Sequence, residues 1–381
     1  MKIALVKRRY SLCHGGSERY CVNLARGLEK AGHHVTVIGT VIDADLKDEI
    51  EFRRVSVNRI SSWTDNRSFA VNAGNIAKEG RFDIVYGLGR SFGLDAVRIT
   101  ERLQSHWVNV HYNPFLSRPL QKWNPRHRTL ISLEKAIYQA ESLRRIVTQS
   151  KLDRQLLSQY YGETPASVET VYNGVDLDSF HPRIQDSQHE VRKLLQISAN
   201  EILLIFASMD FAGKGLKTIL QAISLLKDSG IHLAVLGNGP VRKFQKCARH
   251  LGIENKIHFL GRRSDIQRFY GAGALFVLPT TYEPFPNVIL EAMACELPAI
   301  TTKTNGSAEI IEHKKNGYLI ETINDVKGIC HAIGHHLHQN ASDQEAMRKQ
   351  CRKTAERFPF QKNLDQTLQM FEDIYREKSR N

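Results

Sequence analysis

The sequence predicts an α/β protein of two doubly wound parallel-sheet lobes, and three observations lead there. Its 381 residues exceed what one ordinary core holds. Short β-branched runs alternate with amphipathic helical patterns in both halves. Near residue 173 the rhythm breaks into VYNGVDLDSFHP, an irregular segment with an Asn-Gly turn, two aspartates and a proline. The expected boundaries are 1–172 for a first lobe, 173–358 for a second, and 359–381 for a C-terminal helix packing back on a lobe.

Residues 3–6 (IALV) have a buried-strand pattern, SLCHGGSER turns the chain, and YCVNLARGLEKAG is an amphipathic helix closed by Gly32. With the strand HHVTVIGT this makes a βαβ unit, the building block of a parallel sheet. Further strands are expected at Phe52–Val57, Asp83–Gly87, Trp107–His111 and Arg145–Thr148. Beyond the break, EILLIFAS, IHLAVLGNG, KIHFLG, ALFVLPT and PAITT repeat the alternation with helices such as GKGLKTILQAISLLKDSG. The tail is apolar at Leu364, Leu368, Phe371 and Tyr375, a helical stripe. Two lobes of this kind place a ligand at the carboxyl ends of their strands, in a cleft between them.

Composition narrows the function classes. No segment approaches the roughly 20 uninterrupted apolar residues of a membrane span, and the N-terminus lacks the h-region of an export signal. A cytoplasmic protein is expected. Its six cysteines form no C-x-x-C pair and suit a reducing compartment. The net charge of +13 is uneven, with 26 Lys+Arg against 17 Asp+Glu in residues 1–175 and 27 against 23 thereafter. Such a surface attracts nucleic acid, anionic lipid or a phosphorylated substrate. A nucleic-acid binder is the reading from charge alone, but the basic residues are dispersed and no recognition motif accompanies them.

The segment YEPFPNVILEAMACELPAI carries the sharpest chemical signal. Glu283 and Glu291 stand eight residues apart across a turn that becomes a helix. Pro284 and Pro286 keep Glu283 out of that helix, and Pro286 starts it, so the amides of Asn287, Val288 and Ile289 are expected to be unpaired donors facing a phosphate. The two carboxylates can accept hydrogen bonds from sugar hydroxyls on either side of a diphosphate. In MDFAGKGLKTIL a strand ends, glycines open a turn, and Lys214 precedes a helix, a second anion site. Gly15 and Gly16 offer a third close backbone approach. His106 and His111, on or at the start of the expected strand WVNVH, are candidate catalytic groups. The pairs Asp43/Asp45 and Asp176/Asp178 have metal-site spacing but lie in an acidic loop and in the linker, so they are read as turn aspartates and no metal is expected. Arg118, Lys122, Arg126 and Arg128 cluster around Trp123, a composition suited to a membrane interface.

These motifs resemble retaining glycosyltransferases of family 4 (glycosyl transferases group 1), which have the GT-B fold. YEPFPNVILEAMACELPAI resembles their E-x7-E motif, VYNGVDLDSFHP their interdomain segment, NPRHRTLISLEKAIYQAESLRRIVTQSKLDRQLLSQYYG the end of their acceptor lobe, and GGSER their first glycine loop. Within the family the likeness is greatest to lipopolysaccharide core glucosyltransferases. The resemblance implies two Rossmann-like lobes facing a central cleft, acceptor lobe first and nucleotide-sugar lobe second. It implies transfer of a hexose from a nucleotide-diphosphate sugar, with uridine as nucleoside, to a membrane-associated glycolipid such as the lipopolysaccharide core. It further implies no metal or cofactor, and a peripheral site on the inner face of the cell membrane. Glu283 would bind donor-sugar hydroxyls, Glu291 the ribose, and Lys214 the diphosphate; His106, after GRSFGLDAVRI, fits the catalytic position better than His111. One departure stands out: the family has an Arg-Lys pair where this chain has Gly213 and Lys214. A nucleotide-sugar epimerase of the same fold is the alternative within enzymes.

Overall fold

The computed structural model describes residues 1–112, 117–121, 123–226 and 230–380, without the side chains of 185 and 186. The chain divides into two compact units, residues 1–172 with 361–381, and residues 173–360.

In the first unit the strands are β1 (Lys2–Val6), β2 (Arg9–Tyr10), β3 (His34–Gly39), β4 (Val41–Ile42), β5 (Glu51–Arg54), β6 (Ile84–Gly87), β7 (Ala96–Arg98), β8 (Arg145–Thr148) and β9 (Ser167–Thr170). Its helices are α1 (Gly16–Lys30), α2 (Ser62–Glu79), α3 (Gln104–His111), α4 (Arg118–Gln121), α5 (Pro125–Tyr138) and α6 (Lys151–Tyr161). Seven strands form one sheet in the order β5-β3-β1-β6-β7-β8-β9, parallel throughout. β1 is buried from Ile3 to Val6, as a central parallel strand covered on both faces must be. Local signals set the helix starts: Ser61 and Thr64 form a reciprocal capping box on α2, and Ser150 accepts the Asp153 amide at α6.

The second unit contains α7 (Gln188–Leu195), β10 (Ile202–Ala207), α8 (Leu216–Leu225), β11 (Ile231–Leu236), α9 (Val241–His250), β12 (Ile257–Gly261), α10 (Ile266–Ala272), β13 (Leu275–Leu278), α11 (Asn287–Ala294), β14 (Ala299–Thr302), β15 (Gly317–Ile320), α12 (Val326–His338) and α13 (Ala341–Ala355). Its six-stranded sheet runs β12-β11-β10-β13-β14-β15, again parallel. From β10 the chain winds outward to β12, then returns to β13 and winds the other way. The reversal point lies between β10 and β13, where a doubly wound sheet opens a ligand crevice at its carboxyl edge.

The last helix, α14 (Phe360–Arg380), covers the first unit. Its buried stripe is Asn363, Leu364, Thr367, Met370, Phe371 and Ile374. Tyr375, expected on that stripe, is exposed, because the face that meets α1 and β6 is rotated toward Asn363 and Met370. Tyr20 Oη donates to Asn363 Oδ1 at 3.0 Å, and Phe371 meets the Tyr86 ring edge-on at 5.0 Å. Lys378 Nζ ties the far end to the Asp95 carboxylate at 3.0 Å.

Two strand expectations are corrected. Trp107–His111 is helix α3, not a strand. Val108 and Val110 would share a face in a strand, yet Val108 is buried and Val110 exposed, the phase of a helix. The buried Glu134 carboxylate accepts the Gln104 amide with both oxygens, at 3.1 and 3.0 Å, and so caps α3 from the neighbouring α5. The expected Phe52–Val57 strand ends at Arg54. β7 and β9 were not expected, being only three and four residues long.

Candidate active site

Lys214 and Glu283 emerge from adjacent strands at the reversal point of the second sheet. β10 and β13 pair through Leu204↔Leu275 and Ile205↔Phe276, Lys214 lies in the loop after β10, and Glu283 in the loop after β13. Lys214 Nζ is 2.5 Å from Glu283 Oε1, and Lys214 is only 8% exposed.

The loop carrying Lys214 is tightly determined. Phe211 is buried and packs edge-on against Phe206 and Phe244. The Lys214 and Leu216 amides donate to the carbonyls of Asp210 (3.1 Å) and Phe211 (3.0 Å). Gly215 has φ +68°, and a Cβ there would stand 2.5 Å from the Pro279 carbonyl oxygen, so only glycine allows this approach to the end of β13. The loop carrying Glu283 is anchored from the other side, because the Glu283 carbonyl accepts the Gly306 amide at 3.0 Å. Asn305 holds that neighbouring turn by donating to Thr301 Oγ1 and the Thr302 carbonyl, both at 2.8 Å.

α11 begins at Asn287 after Pro286, as the sequence indicates. Asn287 and Val288 are half-buried, and among the described residues their amides have no hydrogen-bond acceptor. Ile289 is a correction. Its amide donates to the Pro286 carbonyl at 3.1 Å, closing a tight first turn, and its side chain is fully buried. Two amides, not three, are presented at this helix mouth. Sequence reasoning missed the brace beneath them: buried Asn173 donates from Nδ2 to the Phe285 carbonyl (3.1 Å) and to Asn287 Oδ1 (2.5 Å). An asparagine at the unit boundary, three residues before the turn aspartate Asp176, was the available signal.

Glu291 sits one turn into α11, 8% exposed, accepting a 3.5 Å hydrogen bond from Tyr270 Oη on α10. The structure therefore joins Lys214 to Glu283 directly, with Asn287 and Val288 on the same segment, and gives Glu291 a separate aromatic partner.

In the first unit the reversal point lies between β1 and β6. Gly15 caps α1 and Gly16 opens it; a Cβ on Gly15 would lie 2.7 Å from Glu18 Oε2. Lys7, which sequence reasoning missed, follows β1 directly and is 3% exposed. Its Nζ donates to Ser17 Oγ at 3.0 Å and Thr100 Oγ1 at 3.4 Å, with Glu18 Oε1 at 3.6 Å. A lysine ending a buried parallel strand was the signal. His106 lies in α3 with Nδ1 3.3 Å from Tyr160 Oη, and burial pushes its pKa down to about 4. Within a helix the carbonyl of residue 106 is directed to the amide of residue 110, so any polar role of His106 falls to its ring.

Of the surface candidates, Trp123 is 75% exposed with Arg128 stacked 5.9 Å from its ring centroid. Arg126 is exposed, whereas Arg118 is half-buried and donates to the Asn109 carbonyl. Lys122 lies outside the described residues. Asp43 accepts from Ser11 Oγ at 2.5 Å, and Asp176 closes a turn by accepting the Asp178 and Ser179 amides at 3.0 and 3.1 Å. Among the described residues no three His, Cys, Asp or Glu side chains converge as a metal site, and no helix is long and apolar enough to cross a membrane.

Comparison with known proteins assigns the chain a family and a fold. Residues 14–179 match the family described as Glycosyltransferase Family 4, and residues 187–358 the family described as Glycosyl transferases group 1. Lipopolysaccharide glucosyltransferase WaaG of Escherichia coli (strain K12) is 26% identical over 312 residues, which is 80% of this chain and 82% of that protein. The crystal structure of WaaG, a glycosyltransferase involved in lipopolysaccharide biosynthesis, matches with a TM-score of 0.86 at 23% identity, covering 97% of this chain and 99% of that one. Spore coat protein SA of Bacillus subtilis (strain 168) is 26% identical over 98% of this chain and 99% of its own length. Anabaena HepE, solved in complex with UDP-glucose, matches with a TM-score of 0.77 at 19% identity, covering 98% of this chain and 100% of that one. With two family matches that between them take in both sheets, the chain belongs to the family 4, group 1 glycosyltransferases and has the GT-B fold.

Proposed function

We propose that this glycosyltransferase moves a hexose from a UDP-sugar to a membrane-associated glycolipid, with retention of anomeric configuration and without a metal or other cofactor. The observation that carries the reading is the Lys214–Glu283 pair at the reversal point of the second sheet, beside the Asn287 and Val288 amides. An ammonium and two helix-start amides suit a diphosphate, and the adjoining carboxylate suits the hydroxyls of the attached sugar. The UDP-glucose complex of HepE supports the choice of donor.

In the proposed step the bond between the anomeric carbon and the diphosphate oxygen breaks as the acceptor oxygen bonds to that carbon from the same face. The acceptor proton passes to the departing phosphate oxygen. Negative charge grows on the diphosphate, where Lys214 and the α11 amides stabilise it more in the transition state than before it. Charge neutralisation by Lys214 makes a divalent cation unnecessary. Glu291 reads the ribose. The neutral His106 ring lends electron density to the donor sugar as its anomeric carbon becomes positive, and the Gly15–Gly16 turn gives the backbone close approach to a phosphate.

A surface of the first unit supports the proposed acceptor and location. Trp123, with Leu120 at 72% exposure and the exposed Arg126 and Arg128, forms an aromatic and cationic surface suited to anionic lipid on the cytoplasmic face of the membrane.

A thermal-shift screen against UDP-, GDP- and ADP-sugars, with the anomer of the product read by NMR, tests the proposal. UDP-sugars should raise the melting temperature most, in EDTA as in magnesium, and the product should keep the donor's configuration. A shift only with magnesium, or an inverted product, contradicts it.

A further inference from the structure

We infer that the groove between α2 and α5 is a seat for one anionic phospholipid, its phosphate held by Arg67 and Arg128 and the start of its acyl chain laid over Trp63 and Val71. The inference rests on the membrane reading above and deepens it, from a charged surface to a single lipid site.

α2 and α5 pack side by side, and each turns one helical face to the seam between them. On α2 that face is Trp63, Arg67 and Val71, spaced by four; on α5 it is Arg128, Ser132 and Ala136, also spaced by four. With the half-buried Phe92 they line a groove of about 530 Å³, within the range of roughly 300–1,000 Å³ common to ligand sites.

The apolar part of this groove faces water. Trp63 is 42% exposed and Val71 41%, where an ordinary solvated helix pair would carry polar side chains, and exposed apolar surface rimmed by polar residues marks an interaction site. The charge is of one sign. Arg67 and Arg128 are exposed and enter from opposite walls, and no Asp or Glu lines the groove. Among the described residues neither guanidinium has a carboxylate partner. Two planar cations beside an apolar floor match a phosphodiester joined to a hydrocarbon chain, since each guanidinium can bind phosphate through two parallel N–H bonds. The groove also continues into the surface proposed above to meet the membrane: Arg128 stacks 5.9 Å from the Trp123 ring centroid, and tryptophans settle at the level of lipid head groups. That continuity favours a lipid over an acidic peptide as the occupant.

The test uses the whole protein and monomeric dihexanoyl phosphatidylglycerol, a lipid short enough to stay in solution. Calorimetric titration compares wild type, Arg67→Gln and Ser132→Trp, the last filling the groove from an exposed position. Wild type should bind one molecule saturably. Dihexanoyl phosphatidylcholine, inorganic phosphate and an oligoglutamate peptide should each bind at least about tenfold more weakly, the scale of one charge-assisted hydrogen bond. Each variant should lose about tenfold or more in affinity for the phosphatidylglycerol, with the melting temperature and the Kd for UDP-glucose unchanged. Sedimentation of the same samples with phosphatidylglycerol vesicles separates the two readings. No saturable site, or a site that either variant leaves intact, overturns the inference, and vesicle binding in that case keeps the membrane reading without it. Phosphatidylcholine, phosphate or oligoglutamate bound as tightly as phosphatidylglycerol overturns the assignment to an anionic lipid. Failure of the wild type to sediment with the vesicles overturns the membrane reading and this inference together.

Discussion

Lys214 and Glu283 meet at 2.5 Å although almost seventy positions separate them in the chain, because β10 and β13 are neighbours at the one place where the second sheet reverses direction. The fold brings a cation and a carboxylate to the carboxyl edge of the sheet, and the chemistry of the site follows from that adjacency.

Replacing Lys214 by alanine should lower turnover by roughly 10²–10³, the cost typical of losing one preorganised charge stabiliser. The substitution also removes one ion-pair partner of the Glu283 carboxylate, whose side chain is 20% exposed, so the melting temperature should fall. Adding Glu283→Gln should restore much of the melting temperature and none of the turnover. UDP release and thermal melting on the same samples check both halves.

Glu134 is the buried support of α3. Its side chain is 1% exposed, Arg90 Nε donates to it at 2.9 Å, and the Gln104 amide and the Tyr161 hydroxyl complete its partners. Glu134→Ala should cost about 3–5 kcal/mol, the range for breaking a buried pair from one side. Urea unfolding measures it, and a change below about 1 kcal/mol would show the network to be dispensable.

How much of this was legible in the sequence depends on range. The buried run at Ile3–Val6, the proline-started α11 and the glycine-flanked Lys214 are local patterns, and each appears where its chemistry indicates. α3 was misread because its helical state is set from outside, by Glu134 some thirty positions further on. Ile289 was misjudged by a single 3.1 Å bond that tightens the first turn of α11. Lys7 and Asn173 were invisible because each acts by bonding a partner that only the folded chain supplies.

The pH dependence of stability has a definite sign. Burial lowers the pKa of His106 to about 4 and of His336 to about 4, from an ordinary value of 6.5. Between those values the unfolded chain binds more protons than the native one. Stability contributed by the neutral rings is therefore complete above about pH 6.5 and is lost as pH falls toward 4. His106→Gln should flatten the stability profile across that window, as urea unfolding from pH 4 to 7 would record. His106 should produce no titration step in the rate profile between pH 6 and 8.

Membrane association should depend on the aromatic and cationic surface of the first unit. In sedimentation with vesicles of phosphatidylcholine and phosphatidylglycerol, binding should rise with the anionic fraction and fall with salt. Trp123→Ala combined with Arg126→Ala and Arg128→Ala should reduce it several-fold and leave the Kd for UDP-glucose unchanged. Binding indifferent to salt and to these substitutions removes the surface from the account.

The central claim, that Lys214 and Glu283 hold a sugar-linked diphosphate, is met most directly by calorimetric titration of UDP-glucose in EDTA into wild type, Lys214→Ala and Glu283→Gln. The account predicts binding by the wild type without metal, weakened at least tenfold in each variant. Equal affinity in all three, or no binding until a divalent cation is added, would contradict it.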